Sequence, residues 1–438
     1  MVEPLPPLRA LSIPCEVEDG LSAAHVLDEL SVYLECANEQ QAVLGFGALL
    51  EVRSTAPSDV WPQVELITNA GATLEPLDGL SAHVPGPWFG GMAFDVRRSS
   101  AASEWAGFGL GRWIAPRLLL WRSPVSGWVL TRLLLPHDSS ADARVELSQC
   151  RQLLQNVREP LGELTTVAIL TRSGSDSYLQ TVAAALKAIE SGELLKVMVA
   201  RGMDVLSPSP FVITLVLNRL RGHFPSCTTF LFRAPDGACF LGASPERLCR
   251  IADGHVQTEA LAGTSRPEAA EALLHSDKDL REHAVVVEGI QKALAPLCTR
   301  VDTPPGPQLK RLPNVAHLHT PLRGTLQATA SAASVIRALH PTPSVGGTPR
   351  EQALRFLETH EGLARGWYAG PVGSFGAGKA ELFVALRCAL VQGCTARVYV
   401  GAGIVRGSTP SAELTETGLK ARVLLGALNV QETESASR

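Results

Sequence analysis

Lys196 stands inside an otherwise apolar run, residues 194–200 (LLKVMVA). A lysine in that setting must reach water, pair with a carboxylate or exist without its charge. An amine kept neutral by dry surroundings can take a proton, which is general-base chemistry. An edge-strand lysine facing water accounts for the pattern equally well. Glu413, Glu416 and Lys420 are spaced three and four apart, which puts them on one face of a helix. Taken alone, that spacing describes a solvated face with a Glu-to-Lys pair at i, i+4. Glu282 lies between Arg281 and His283, one turn into a helix opened by Ser276, where a surface carboxylate suits the helix dipole. Glu246, in Ser244-Pro245-Glu246-Arg247, follows a hairpin strand and reads as surface decoration.

Other chemistries fail on spacing. After Gly401-Ala402-Gly403 the dinucleotide fingerprint needs a glycine where Arg406 stands. His317 and His319, with His275 and His283 elsewhere, lack zinc-ligand spacing and read as structural. The chain contains neither a G-x-S-x-G elbow nor a Walker A loop.

These residues need elements to hold them. In the first 160 residues, strands are expected at 43–51, 88–95, 117–122 and 127–135, bounded by Gly and Pro, with a helix over 139–157. A helix over 175–191 carries Tyr178, Val182, Leu186 and Ile189 on one face and ends before Gly192. A strand follows at 194–205. Residues 228–233 and 238–243 flank Pro235-Asp236-Gly237, a hairpin signal. Ser276 with Asp279 resembles a capping box for a helix that Pro296 closes. Further helices are expected over 331–339 and 348–361. Residues 381–390 and 395–402 straddle Gln392-Gly393 as another hairpin, and a final helix opens at Thr409-Pro410. Hairpins outnumber strand–helix–strand crossovers, so the sheets should be mostly antiparallel with helices outside.

The 438 residues are enough for a large core, and 45% apolar with 19% charged residues is ordinary for a globular chain. A net charge of −4 provides no basic field for a nucleic acid or an anionic membrane surface. The nine dispersed cysteines form no C-x-x-C pair and read as reduced thiols of a cytoplasmic protein. Arg122 and Arg132 interrupt the longest apolar stretch, so no transmembrane helix is expected. The N-terminus has the character of neither a secretory signal nor a transit peptide.

Ten ordered segments together resemble the chorismate-utilising enzymes. They include LKVMVAR (195–201), FLGASPERL (240–248), LAGT (261–264) and SDKDLREH (276–283). VAHLH (315–319), LHPTPSVGGTPR (339–350) and RGWYAGPVG (365–373) follow, then VALRC (384–388), GAGIV (401–405) and ELTETGLK (413–420). The likeness is dense from about residue 175 to 428 and thinner upstream. It implies an α+β fold of two face-to-face antiparallel sheets with helices on the outer faces. Residues 1–160 would be a less typical portion contributing strands to that fold, and 161–438 the chorismate-binding portion.

The resemblance also implies roles. Lys196 matches a water-activating base and Glu246 the acid that protonates a departing hydroxyl. His317 matches a catalytic residue near the substrate ring that helps orient the transition state. Glu282 and Glu416 match Mg²⁺ ligands, with Glu413 holding a metal-bound water. Lys420 and the backbone at Gly263 and Thr264 match contacts to the ring carboxylate. Arg387, with the backbone of Gly401 and Gly403, matches a cradle for the enolpyruvyl carboxylate. Lysine at 196, where aminating relatives usually have glutamine, implies hydration of chorismate to isochorismate. Ala262 replaces the lysine that aminodeoxychorismate synthases use covalently. A salicylate synthase and a non-catalytic chorismate-binding relative are the alternatives. The expected partner is the small molecule alone, without a glutaminase subunit, nucleic acid or membrane, and the expected state is a monomer. Leu414 and Ser374 depart from the family, standing where tryptophan is common, and Gly378-Lys379-Ala380 replaces a more acidic loop.

Overall fold

A computed structural model describes residues 4–27, 29–36, 39–70, 74–97, 103–123, 127–157, 162, 166–312, 315–376 and 378–431. Two sheets of fourteen and ten strands make up its frame, and nearly every pairing is antiparallel. The larger sheet runs from Ala168–Arg172 through Lys196–Leu206, Thr395–Val405, Cys388–Gln392, Cys239–Ser244 and Thr228–Arg233 to strands of the first 134 residues. The smaller includes Ala316–Leu326, His255–Ser265, Arg247–Ala252, Lys379–Val384, Pro371–Gly376 and Trp88–Met92. Strands from the first 134 residues thus extend one end of each sheet, continuous with strands from the rest of the chain. The boundary expected at residue 160 lies outside the described residues.

One apolar core joins the two sheets. Phe232 and Phe240 of the larger sheet meet Trp367 edge-on, Phe240 also meets Phe108, and Trp113 packs on Phe375 within the smaller sheet. A second core lies on the other face of the larger sheet, under helices Ser140–Gln155, Ile213–His223 and Pro410–Ala427. Helix Asp277–Leu294 packs on strands His255–Ser265 and Ala316–Leu326. Its first turn is capped as expected, with the Ser276 hydroxyl accepting from the Asp279 amide at 3.3 Å. All nine cysteines are free thiols. Among the described residues no helix is long and apolar enough to cross a membrane.

Two expected strands are each broken in two, for one reason. Residues 43–51 divide into Gln41–Phe46 and Leu50–Ser54, which belong to different sheets, and Gly47 turns between them at φ +59°. Residues 381–390 divide into Lys379–Val384 in the smaller sheet and Cys388–Gln392 in the larger. A continuous apolar run looks the same whether it stays in one sheet or steps across the core, because both sheets bury it. The chain also steps across at Pro245-Glu246, between Cys239–Ser244 and Arg247–Ala252.

The crossings at 245–246 and 385–387 lie side by side. The Val384 amide donates to the Glu246 carbonyl at 3.0 Å, and the Ala243 amide to the Arg387 carbonyl at 3.1 Å. The buried Ser244 hydroxyl donates to the Val384 carbonyl at 2.6 Å and accepts from the Glu246 amide at 3.2 Å. Ser244→Ala leaves those two buried groups without this partner and should cost about 1–3 kcal/mol. A urea midpoint indistinguishable from the parent's would contradict that role.

Candidate active site

Strand Lys196–Leu206 is paired on both sides where it begins. Lys196 faces Val405 on one flank and Thr348 on the other. It is therefore interior to the sheet and 1% exposed, which excludes the edge-strand reading. A buried ammonium needs a counter-charge, and the Lys196 Nζ donates to Glu282 Oε1 at 2.7 Å. Burial alone would raise the Glu282 carboxyl, but the Lys196 ammonium, with Lys420 and Lys278 further off, holds it below the usual range. Opposite Lys196 and its neighbours run Gly401 and Gly403, in register with Ala200 and Met198. A Cβ on Gly403 would lie 2.9 Å from Glu282 Oε1 and 3.1 Å from Lys196 Cε, so glycine there leaves room for the ion pair.

Glu246 is not surface decoration. It is 3% exposed, and its Oε1 accepts from the Ser344 hydroxyl at 2.6 Å. Ser344 in turn shares a 2.6 Å hydrogen bond with Thr342. Burial pushes the Glu246 carboxyl up to about 7, against the Ser344 hydrogen bond. It can therefore carry a proton near neutrality.

His317 comes from strand Ala316–Leu326 and is buried. A bulge in the facing strand between Ala262 and Thr264, with Gly263 at φ +73°, turns the Gly263 carbonyl toward it. His317 Nδ1 lies 3.1 Å from that carbonyl and 3.2 Å from Thr264 Oγ1, while Nε2 lies 3.2 Å from Arg387 Nη2. Arginine can only donate, so Nε2 accepts and Nδ1 carries the hydrogen. Burial, and then the Arg387 guanidinium, push this imidazole well below its ordinary range, so it is neutral. Arg387 sits on the sheet crossing at φ +46°, a left-handed conformation uncommon for a residue with a side chain. It is buried, and its Nη1 has no hydrogen-bond partner. A buried guanidinium nitrogen left unpaired is a built position for an anionic oxygen.

Glu413, Glu416 and Lys420 share a face of helix Pro410–Ala427, as their spacing requires. The face is not a solvated one, because Glu413 is 3% exposed. Each carboxylate has a lysine. Glu416 lies 2.8 Å from Lys420, Glu413 lies 3.6 Å from Lys278, and Glu282 holds Lys196. Lys420 also donates to the Gly401 carbonyl at 3.2 Å. Burial, then Glu416, and more weakly Glu282, raise the Glu413 carboxyl, so the three acids are near neighbours. Three carboxylates suit a hard divalent cation by donor type. As the side chains stand, no three metal-binding groups converge among the described residues.

One cavity collects these parts. Lys196, Glu246, Gly263, Thr264, Glu282, His317, Arg387, Gly401, Gly403, Glu416 and Lys420 all line it, whereas Glu413 is not part of its lining. Leu414, beside Glu413, packs half-buried against the core. Ser344, Arg365 and Tyr368 also line the cavity, and sequence reasoning assigned them no role. The segments LHPTPSVGG and RGWYAG were the available signal. Only Ser344 among the three touches an acid proposed for chemistry, since Arg365 is spent on Glu361 at 2.6 Å.

A family model described as "Chorismate binding enzyme" matches residues 11–429. The chain is 31% identical over 352 residues to the isochorismate synthase MenF of Bacillus subtilis, covering 78% of this chain and 74% of that one. It is 35% identical over 332 residues to the Escherichia coli MenF, covering 73% and 76%. The solved structure of the E. coli enzyme superposes with a TM-score of 0.78 at 29% identity, over 97% of this chain and 95% of that one. The chain belongs to the chorismate-binding enzymes.

For a chorismate-binding enzyme, the pairing of Lys196 with Glu282 has a cost that stability reveals. Glu282→Gln strands a buried ammonium and should destabilise the protein by about 3–5 kcal/mol, measured by denaturant unfolding without divalent cations. Adding Lys196→Met should restore much of the loss. A Glu282→Gln protein as stable as the parent would mean the pair is not formed.

Proposed function

We propose that this chain is an isochorismate synthase that converts chorismate to isochorismate with Mg²⁺ bound. Chorismate carries two carboxylates, an enolpyruvyl ether and a C4 hydroxyl that leaves poorly as hydroxide. The observation that supports the reading best is a buried, protonatable carboxyl and a buried lysine lining one cavity. Each is at the position where the family resemblance puts acid or base.

A water oxygen bonds to C2 while the ring double bonds shift and the C4–O bond breaks. The attacking water gives a proton to Lys196, and the departing hydroxyl takes the Glu246 proton and leaves as water. Atoms and charge balance between substrate and product. Lys196 pairs with Glu282 as an ammonium, so it must first lose a proton, and with it that charge pairing, before its amine can take one from the attacking water. Ser344 fixes the rotamer of the acid. The free Nη1 of Arg387 takes a carboxylate oxygen of the enolpyruvyl group, and His317, neutral and locked by Gly263, keeps that guanidinium oriented. Lys420 and the Gly263-Thr264 backbone face the ring carboxylate.

Glu282 and Glu416 would hold Mg²⁺, with Glu413 supporting them. A bound magnesium ion supplies positive charge for the ring carboxylate beyond what Lys420 provides. In this reading the enzyme takes up chorismate without a glutaminase partner. The relatives whose names support isochorismate formation include the MenF proteins and the vibriobactin-specific isochorismate synthase of Vibrio cholerae. Incubation with chorismate and Mg²⁺, followed by chromatography, should yield isochorismate. Pyruvate released without a second enzyme would overturn this in favour of salicylate formation.

Lys196→Ala should lower kcat by at least about 100-fold, the contribution of a general base, while chorismate still binds by calorimetry. An unchanged kcat removes the lysine from the mechanism. The acid must be protonated, so kcat/KM should fall as pH rises through about 7. The dianionic substrate favours the neutral acid further, so the same limb in kcat should lie at higher pH. A kcat/KM that climbs through that range would contradict the assignment of Glu246. Glu416→Gln should raise the Mg²⁺ concentration needed for half-maximal rate, and full activity in chelator would dispose of the metal site.

A further inference from the structure

Glu246 is gripped from both sides by a cluster that the reaction does not use. Glu259, on strand His255–Ser265, accepts the Arg247 amide on Oε1 at 2.7 Å. Lys310, on strand Gln308–Arg311, donates to the Pro245 carbonyl at 2.6 Å. Lys310 and Glu259 are themselves joined, with Nζ 3.1 Å from each carboxylate oxygen. His319 Nε2 closes the cluster on Glu259 Oε2 at 2.7 Å. The backbone groups on either side of Glu246 are thus tied to opposite ends of one ion pair.

We propose that Glu259 and Lys310 are positioning residues for the acid at Glu246. They clamp its backbone and set its proton affinity with opposed charges. The proposal deepens the isochorismate synthase reading and rests on it for the word acid. Glu259 is a fixed charge. Burial would raise it, but His319, Lys310 and the Arg247 amide hold it down to about 2. A permanent anion beside Glu246 favours its protonated form, and the Lys310 ammonium opposes that. The other charged groups lining the cavity with Glu246 are Lys196 on strand Lys196–Leu206, Glu282 on helix Asp277–Leu294, Arg365, Glu416 and Lys420, and Arg387 on the neighbouring crossing, with neutral His317.

The test reads the Glu246 proton directly. The protonated-carboxyl stretch of the full-length, ligand-free protein is titrated by difference infrared spectroscopy, and the band lost in Glu246→Gln identifies it. In Glu259→Gln the midpoint should fall, and in Lys310→Met it should rise, each by about 0.5–1 pH unit, the lower end of what a charged neighbour exerts. Lys310→Arg keeps the charge and should leave the midpoint in place. The high-pH limb of kcat/KM should move in the same two directions. A merely structural cluster would shift both variants alike or not at all, and that result overturns the proposal. If Glu259→Gln does not fold, a folded Lys310→Met with an unmoved midpoint overturns it alone. Opposed infrared shifts in a protein that makes no isochorismate would uphold the clamp and sink the functional reading instead.

Discussion

Two strands leave one sheet for the other at neighbouring points, and the site depends on that double crossing. The steps at 245–246 and 385–387 are stitched by the Val384–Glu246 and Ala243–Arg387 backbone hydrogen bonds and by the Ser244 hydroxyl. A residue in mid-strand can point only to one face or the other. A residue on a crossing sits between the sheets and can aim along the gap. Glu246 and Arg387 occupy such places, and both lack the carboxylate–guanidinium partners that buried charges usually find. The strain of φ +46° at Arg387 is borne by backbone bonds on either side.

Charge bookkeeping around the cavity separates structural groups from those open to a ligand. Arg365 is as buried as Arg387, yet it holds Glu361 with two nitrogens, at 2.6 and 2.8 Å, and donates to the Val345 and Met198 carbonyls. It is saturated. Arg387 spends Nη2 on a neutral imidazole and leaves Nη1 unpaired. The lysines divide similarly. Lys310 donates to three oxygens and is fixed, whereas Lys196, Lys278 and Lys420 each neutralise one of three neighbouring carboxylates. That second group can be rearranged by exchanging partners, which a divalent cation or a dicarboxylate would do without leaving a buried charge uncompensated.

Local signals in the sequence located most elements, because caps and turns act over a few residues. Ser276 capping Asp277–Leu294, Gly237 in its hairpin and Pro410 opening the last helix are of this kind. Sheet membership was not legible, since residues 381–390 are apolar on both sides of the break and nothing local marks Arg387 as a turn. The site residues show the same division. Lys196 was conspicuous as a charge in an apolar run. Glu246, Glu413 and Glu282 looked like surface acids, because their burial is imposed by strands and helices distant in sequence. The family resemblance, not spacing, singled them out. Ser344 lay within a quoted segment, but its contact with Glu246 spans 98 residues and exists only once both loops are placed.

Glu246 and Glu259 show how far the surroundings, rather than the side chain, decide the chemistry. They flank one stretch of backbone and feel the same low dielectric, which raises both. Glu259 escapes because a lysine, an imidazole and an amide converge on it. Glu246 receives one hydroxyl and keeps its proton to about pH 7. Pushing two like groups apart in this way gives a fold one permanent anion and one usable acid from the same residue type. It also removes a hazard. Two carboxylates so close could share a proton and titrate as a coupled pair, blurring the charge state of each. With Glu259 held down to about 2, only Glu246 of the two changes charge near neutrality.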